Sequence, residues 1–527
     1  MFYNSFKSNE YNNCTAKGAC SVSPNISSMQ EVMFIILRQI AYYLLKLIEF
    51  DIYKNDIIKD IIFEISVIDG AKDLSEAQIL NSFSKQYLNL VNCRKEYLNV
   101  CKEKKSNCDD LKNLIKLSPK TSLAAILKKG DKEFIHKYKK LNFNQKYYAE
   151  ILLALVKSVS INLSNLYEYN SDFYNIAKEV LIALNLFNSN RISTEKFKEQ
   201  MHELAKCDVK LLDLISVAQV NCFGELIESK VSFSTRPNKA ILVSGSNLED
   251  LRLVLENVQN EKIDVYTNGN LLIAHAFPYF NNSKNLIGHY GNGSFNTILD
   301  FATFPGAILL TKNEAQNIEY LYRGRLFTTD DVAPKGVVKI ENNNLTPLIE
   351  SAKQAKGFAK GQQRNPAIVG YSDKSFEKEI NKIVSLNPEK IFIIGHTELT
   401  IEVKDYFKKF FSLMPQNTYA ISFSYDPKLD NVLAINLVND YALIYRTLNK
   451  IFEKFPIDSD KLAFFLTKCD VNSLSNIINL KNRGAKNIFL SDCPPLVINP
   501  AILHAFTKLF EINKITNPKD DLALLGY

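Results

Sequence analysis

The chain is most informative first for what it lacks. Across 527 residues there is no uncharged hydrophobic run of about 18 residues, the length a membrane-spanning helix needs. The most apolar stretch, Val32 to Phe50, is interrupted by Arg38, Gln39, Lys46 and Glu49, which a bilayer core rejects. The opening residues, MFYNSFKSNEYNN, lack the basic-then-apolar pattern of a secretory signal. A cytoplasmic protein with no membrane partner is therefore expected. There is no dense basic block. The net charge of +7 comes from 64 basic and 57 acidic residues spread along the chain, so nucleic acid is not an expected partner. Tryptophan is absent, while Asn, Lys and Ile are abundant, a bias of composition without functional content. No nucleophile elbow, Walker loop or HExxH motif occurs. The nine cysteines are odd in number, and a disulfide framework is not expected in a reducing compartment.

What is present has two textures. Gly and Pro are sparse over the first 225 residues, where apolar side chains recur at helical spacing. Ser28 to Glu31 has the form of a capping box opening a helix. Leu37, Ile40, Leu44, Leu47 and Ile48 follow on one face, and Tyr147–Leu166 and Asp172–Leu186 read the same way. From Lys239 onward, short apolar runs end in Gly or polar residues. They are 240–243, 263–266, 307–310, 367–369, 391–394, 419–423, 462–466 and 488–490, with helical segments between many of them. That alternation specifies parallel sheets. The stretch 353–365, rich in Lys, Gln and Gly, separates two such units. The expected architecture is an N-terminal all-α domain (1–225) followed by two Rossmann-like, doubly wound α/β domains (226–360 and 361–527). Ligands of such sheets sit beyond the carboxyl ends of the strands.

Several segments together resemble the hybrid-cluster proteins, also called hydroxylamine reductases. They are CTAKGAC (Cys14–Cys20), KAILVSGSNLEDL (Lys239–Leu251), VYTNGNLLIAHAFP (Val265–Pro278), FATFPGAILLTKN (Phe301–Asn313), RLFTT (Arg325–Thr329), RGAKNIFL (Arg483–Leu490) and NPKDDLALL (Asn517–Leu525). The resemblance covers nearly the whole chain. It implies a helical domain with two Rossmann-like domains, a cubane iron–sulfur cluster on N-terminal cysteines, and a mixed iron–sulfur–oxygen cluster that reduces small nitrogen compounds. The ligands it implies are thiolates, one histidine and carboxylates, types that suit such a centre.

This chain departs from that ligand set. Cys14 and Cys20 match the last two of four N-terminal cysteines, and Tyr3 and Phe6 occupy the first two positions. At the second cluster Ser246 stands for the histidine, Asn270 for a glutamate and Glu314 for a cysteine. Thr397 takes the persulfide-bearing cysteine's place, and Tyr425 and Val438 the other two. Asp470 falls at the last glutamate, a conservative change. Hydroxyl, amide and alkyl groups do not replace soft thiolates.

Three functions follow as expectations. The first is a cluster-free, non-catalytic member that binds a small ligand or a protein partner at the cleft between the α/β domains, with no cofactor. The second is the family's own reduction of hydroxylamine or nitric oxide, on 4Fe–4S and hybrid clusters. The third is a new mononuclear-metal enzyme using Glu314, His396 and Asp470, with Glu398, Asp426 and Asp440 as further candidates expected to approach the same cavity. The remaining thiols have plain alternatives. Cys14 and Cys20 are a cluster remnant or ordinary thiols. Cys93, Cys101 and Cys108 match no common zinc spacing and read as structural. Cys469 and Cys493 lie at strand ends, facing the cavity or simply packed. The Gly288–Gly293 segment reads as a turn, and His275 and His289 carry no assigned role.

Overall fold

The structure, a computed structural model, describes residues 24–69, 76–139, 142–169, 173–189, 193–291, 297–312, 324–330, 333, 336–396, 401–423, 426–467, 471–490 and 506–527. Its chain divides into two compact units. The first holds Met1–Leu211, Cys469–Asn482 and Cys493–Phe510; the second holds Leu212–Lys468, Arg483–Asp492 and Glu511–Tyr527.

The first unit is helical. Its helices are α1 (Pro24–Ile48), α2 (Asn55–Asp69), α3 (Glu76–Glu103), α4 (Leu123–Lys139), α5 (Phe143–Glu168), α6 (Tyr174–Leu186) and α7 (Thr194–Phe223), which runs on into the second unit. Helix α1 buries Leu37, Ile40, Leu44 and Leu47 of the stripe read from the sequence, with Ile48 half-buried, and Val32 and Ile36 are buried as well. It packs against α3, α4 and α6. Ser28 does not open this helix, because α1 already begins at Pro24. The Ser28 hydroxyl instead donates to Asp131 Oδ1 of α4 at 2.6 Å, so a tertiary partner has claimed the capping side chain. By length and apolarity alone, residues Asn144–Glu168 could cross a membrane. Of the most apolar window there, 83% is buried inside the protein, as a core helix requires. Expected to be unpaired, Cys101 and Cys108 form a disulfide. The end of α3 and the loop after it bring their Cα atoms to 6.0 Å, within bridging range.

The second unit contains both large sheets. Strand β1 (Ser229–Val231) comes first, then β2 (Lys239–Ser244), α8 (Leu248–Val258), β3 (Ile263–Asn268), a 3₁₀ turn (Gly269–Ala276) and α9 (Pro278–Asn281). Next are β4 (Leu286–His289), α10 (Thr297–Thr303), β5 (Ala307–Leu310), β6 (Leu326–Thr328), β7 (Val338–Lys339) and α11 (Thr346–Gln354). The first sheet is parallel, in the order β4-β3-β2-β5-β6-β7. The chain winds from β2 to one side, then returns through β5 to the other. That leaves a switch point between the carboxyl ends of β2 and β5.

The second sheet repeats the plan. Its elements are β8 (Ala367–Val369), α12 (Asp373–Leu386), β9 (Lys390–His396), α13 (Ile401–Leu413), β10 (Thr418–Phe423), β11 (Val432–Ala434), α14 (Tyr441–Lys454), β12 (Leu462–Leu466), α15 (Val471–Asn482), β13 (Asn487–Leu490), β14 (Ile512–Lys514) and α16 (Pro518–Leu524). The parallel order β11-β10-β9-β12-β13-β14 places its switch point between β9 and β12. Helix α15 lies in sequence between two of these strands but packs against α5 in the helical unit. Aromatic side chains fill this half: Phe392, Phe407, Phe410, Phe465 and Phe489 form one buried cluster, with Phe465 stacked on Phe489 at 4.7 Å. Strand β8 pairs antiparallel with β1. The Gly-rich stretch after α11 is pinned back on the first sheet by bridges from Phe358 to Asn238 and from Gln362 to Thr235.

Candidate functional site

Ser244 closes β2, and Gly245, with φ of +139°, turns the chain out of the sheet. Gly245 donates its N–H to Asn268 O and accepts from Leu271 N, so the ends of β2 and β3 are tied together. Ser246 is exposed at this switch point, and its N–H donates to Thr311 Oγ1 at 3.2 Å. Asn247 caps α8 by accepting from Asp250 N. Asp250 Oδ2 in turn accepts from Lys312 N at 2.8 Å and Thr329 Oγ1 at 2.7 Å, joining the ends of β5 and β6 to the same corner. Asn268 is buried and committed. Its Oδ1 accepts from Ser244 Oγ, and its Nδ2 donates to Tyr290 O.

Asn270 follows in the 3₁₀ turn, where its Oδ1 accepts from Asn439 Nδ2 at 3.0 Å. Val438, next to Asn439, is buried with φ of +55°, a left-handed conformation unusual for a β-branched residue. Its N–H is held by Asn436 Oδ1. The structure thus brings the Asn270 and Val438 corners together. Neither residue supplies a thiolate, an imidazole or a carboxylate.

The other acidic candidates are otherwise engaged. Asp440 is the N-cap of α14, accepting from Leu443 N at 2.9 Å and from Gln219 Nε2 at 2.8 Å; burial holds its carboxyl above the usual range. Asp426 accepts from its neighbour Lys428 through both backbone and ammonium. His396 closes β9 at the second switch point. Glu314, Thr397, Glu398, Tyr425 and Asp470 lie outside the described residues, as do Cys14, Cys20, Cys469 and Cys493, and so does the His396 side chain. Among the described residues, no group of three or more His, Cys, Asp and Glu side chains is arranged to hold a metal ion. The three described positions that the resemblance sets against family cluster ligands (Ser246, Asn270 and Val438) offer a hydroxyl, an amide and an alkyl group. That donor set does not fit an iron–sulfur–oxygen cluster.

A cavity of about 900 Å³ opens beside these corners, entirely within the second unit. The first α/β half contributes Phe233, Gly269, Leu272 and His289; the second contributes Tyr371, Phe376, Phe423, Ile435 and Val438. The volume is at the upper end of that of small-molecule sites.

Two histidines given no role in the sequence lie here: His289 lines the cavity, and His275 is tied to it through Thr267. Gly288 and His289 are not part of a turn; they end strand β4. Thr267 Oγ1 lies 2.9 Å from His275 Nε2 and 2.9 Å from His289 Nδ1. Burial depresses both rings, His275 to about 4 and His289 to about 3, the second also through the neighbouring ring. The available signal was two of only six histidines falling in uncharged segments that flank a strand.

A helical unit, two switch-point sheets and a cavity at their strand ends define a protein with doubly wound α/β sheets. The match to known proteins narrows this: residues 8–422 fit the Prismane/CO dehydrogenase family, and the chain belongs to that family. A hydroxylamine reductase of Thermodesulfovibrio yellowstonii is 28% identical over 334 residues, covering 60% of this chain and 62% of that protein. One of Rhodospirillum rubrum is 28% identical over 334 residues, covering 60% and 61%. The chain thus spans about three fifths of the length of these relatives. One of Clostridium novyi is 24% identical over 546 positions, covering 97% of this chain and 96% of its own. A solved structure of closed and open alpha subunits of acetyl-CoA synthase/carbon monoxide dehydrogenase covers 98% of this chain and 84% of its own, at 10% identity and TM-score 0.47.

Proposed function

We propose that this chain is a family member without the hybrid cluster, working by binding a small ligand in the cavity between its two α/β halves. The observation that supports it most is an open cavity beside three matched positions that offer no thiolate, imidazole or carboxylate. Asn270 spends its carbonyl oxygen on Asn439, and Val438 has no donor atom at all. A thiolate-held cluster has little to bind there. The framework is nonetheless maintained: Asn247, Asn268 and Asp250 still fix the strand-end loops.

The relatives' shared name favours a second reading, reduction of hydroxylamine. The two separate under anaerobic reconstitution with ferrous iron and sulfide, followed by viologen-linked assay with hydroxylamine. The binding reading expects no turnover above the rate of free iron and sulfide. Turnover at an enzyme's rate that survives desalting overturns it.

A further inference from the structure

The chain's charged residues are spread along it, but its excess charge is not. Residues 102–140 hold twelve lysines against five acidic residues, a net of +7, which is the net charge of the whole chain. Because these lysines stand apart in sequence, their density gives no hint of a polyanionic partner. Folding lines them up.

The segment runs back along α1. Tyr42 and Tyr43, near the end of that helix, donate their hydroxyls to Asp109 O and Asp110 Oδ1. Gln39 donates Nε2 to Asn113 O at 2.9 Å, and its Oε1 accepts from Ile115 N at 3.1 Å. Ser28, near the start of the helix, donates to Asp131 Oδ1 at 2.6 Å. From Asp109 to Asp131 the segment therefore follows α1 backwards from Tyr43 to Ser28, about 22 Å of helix at ~1.5 Å per residue. Ile115, Ile126 and Gly130 are buried, and Leu111, Leu114, Leu117, Leu123 and Leu127 are half-buried. Lys112, Lys116, Lys120, Lys128 and Lys132 are exposed. Apolar positions are turned inward and ammonium groups are left outside. None of these five lysines forms an ion pair among the described residues. Three carboxylates lie on the same stretch, and two are engaged, Asp110 by Arg94 at 2.6 Å and Asp131 by Ser28.

The kind of partner follows from what this strip lacks. Residues 102–132 expose no large apolar side chain, so nothing is offered to a bilayer interior. They contain no Arg and no aromatic residue, the usual anchors of protein interfaces and the platforms on which unpaired bases stack. What is left is a row of point charges on flexible stems, suited to phosphates that are themselves in a row. A duplex carries one phosphate per strand every ~3.4 Å of its axis, so about 22 Å of it presents roughly six phosphates on each strand to these lysines.

We propose that this strip of the helical unit docks on the phosphate backbone of double-stranded DNA without reading its sequence. Lys112, Lys116, Lys120, Lys128 and Lys132 make the contacts and release cations condensed on the duplex.

The test uses the full chain and a fluorescent duplex DNA of about 24 base pairs, with a single strand of the same length and phosphatidylglycerol vesicles as competitors. Five contacts give an expected slope of about −4.5 for log K against log salt, so affinity falls roughly 500-fold between 50 and 200 mM. Lys112→Gln with Lys116→Gln and Lys120→Gln removes three contacts, and the slope is expected to shrink to about −1.8, a loss of only about 12-fold over that range. All three side chains are exposed, so this variant is expected to fold. A control with the same charge change elsewhere, Lys374→Gln with Lys378→Gln and Lys409→Gln, is expected to keep the wild-type slope. Scrambling the DNA sequence is expected to leave affinity unchanged. Absence of duplex binding at the lower salt overturns the proposal. An equal loss of slope in the control overturns it as well, since general charge and not the strip would then bind. Tighter binding of the single strand, or displacement of the duplex by vesicles of equal accessible charge, overturns the assignment to duplex DNA, the second result making the strip a lipid-facing surface.

Discussion

Glu64, in α2, is buried with Gln86 Nε2 3.4 Å from its Oε2. Burial pushes its carboxyl up to about 7. Its folded value lies above its unfolded one, so stability is full in acid and declines as pH rises through 7. Glu64→Gln removes the buried charge and keeps the amide partner. It is expected to stabilise the protein by on the order of 2 kcal/mol at pH 8.5 and to change little at pH 4, read from urea midpoints. The two histidines act with the opposite sense. Held down to about 4 and about 3, they stay neutral in the folded state while the unfolded chain takes up protons below about 6.5. Stability is therefore expected to fall as pH drops from 6.5 toward 3, by up to about 1.4 kcal/mol per pH unit per ring. His275→Gln with His289→Gln is expected to flatten the acid limb. An unchanged acid limb in that double variant contradicts the burial argument. Neither effect was legible from sequence. A histidine beside apolar neighbours looks the same whether its ring enters the core or not, and the threonine linking the two lies 8 and 22 residues away from them.

Among elements, the contact of α1 with α4 is governed by one glycine. A Cβ on Gly130 would lie 2.1 Å from the carbonyl oxygen of Ser28, which is backbone and cannot swing aside. Gly130→Ala is expected to destabilise the helical unit by roughly 2–4 kcal/mol despite alanine's better helix propensity, measured by chemical denaturation. A neutral or stabilising result would mean that the helices are not this close. The same contact explains the misread start of α1. The capping-box pattern at Ser28 is local, but the hydroxyl's partner, Asp131, is 103 residues away. Strands were easier to place. The eight apolar runs from Ala240 to Leu490 all fall on observed strands; seven lie in the parallel sheets, where strands buried on both faces read as continuous apolar runs, while β8 pairs antiparallel with β1. Six strands escaped notice, β1, β4, β6, β7, β11 and β14, each only two to four residues long.

At the scale of the whole molecule, sequence order showed two α/β repeats but not the order of strands within each. That order decides where the switch points fall, and with them that Ser246 stands at one and the end of β9 at the other. Resemblance implies where the family's ligand positions fall, while the geometry adds what the residues there do: Asn270 bonds Asn439, and Val438 sits in a left-handed turn beside it. A cleft between the α/β halves was expected, but its lining could not be read in advance, since the wall is drawn from segments more than 200 residues apart, from Glu228 to Val438. The central claim concerns this assembled centre, and the direct measurement is iron and acid-labile sulfide content after strictly anaerobic purification, with a visible absorption spectrum. The account predicts a folded, colourless protein with neither iron nor sulfide in stoichiometric amount. Several irons and sulfides per chain with a brown chromophore would contradict it and restore a reductase.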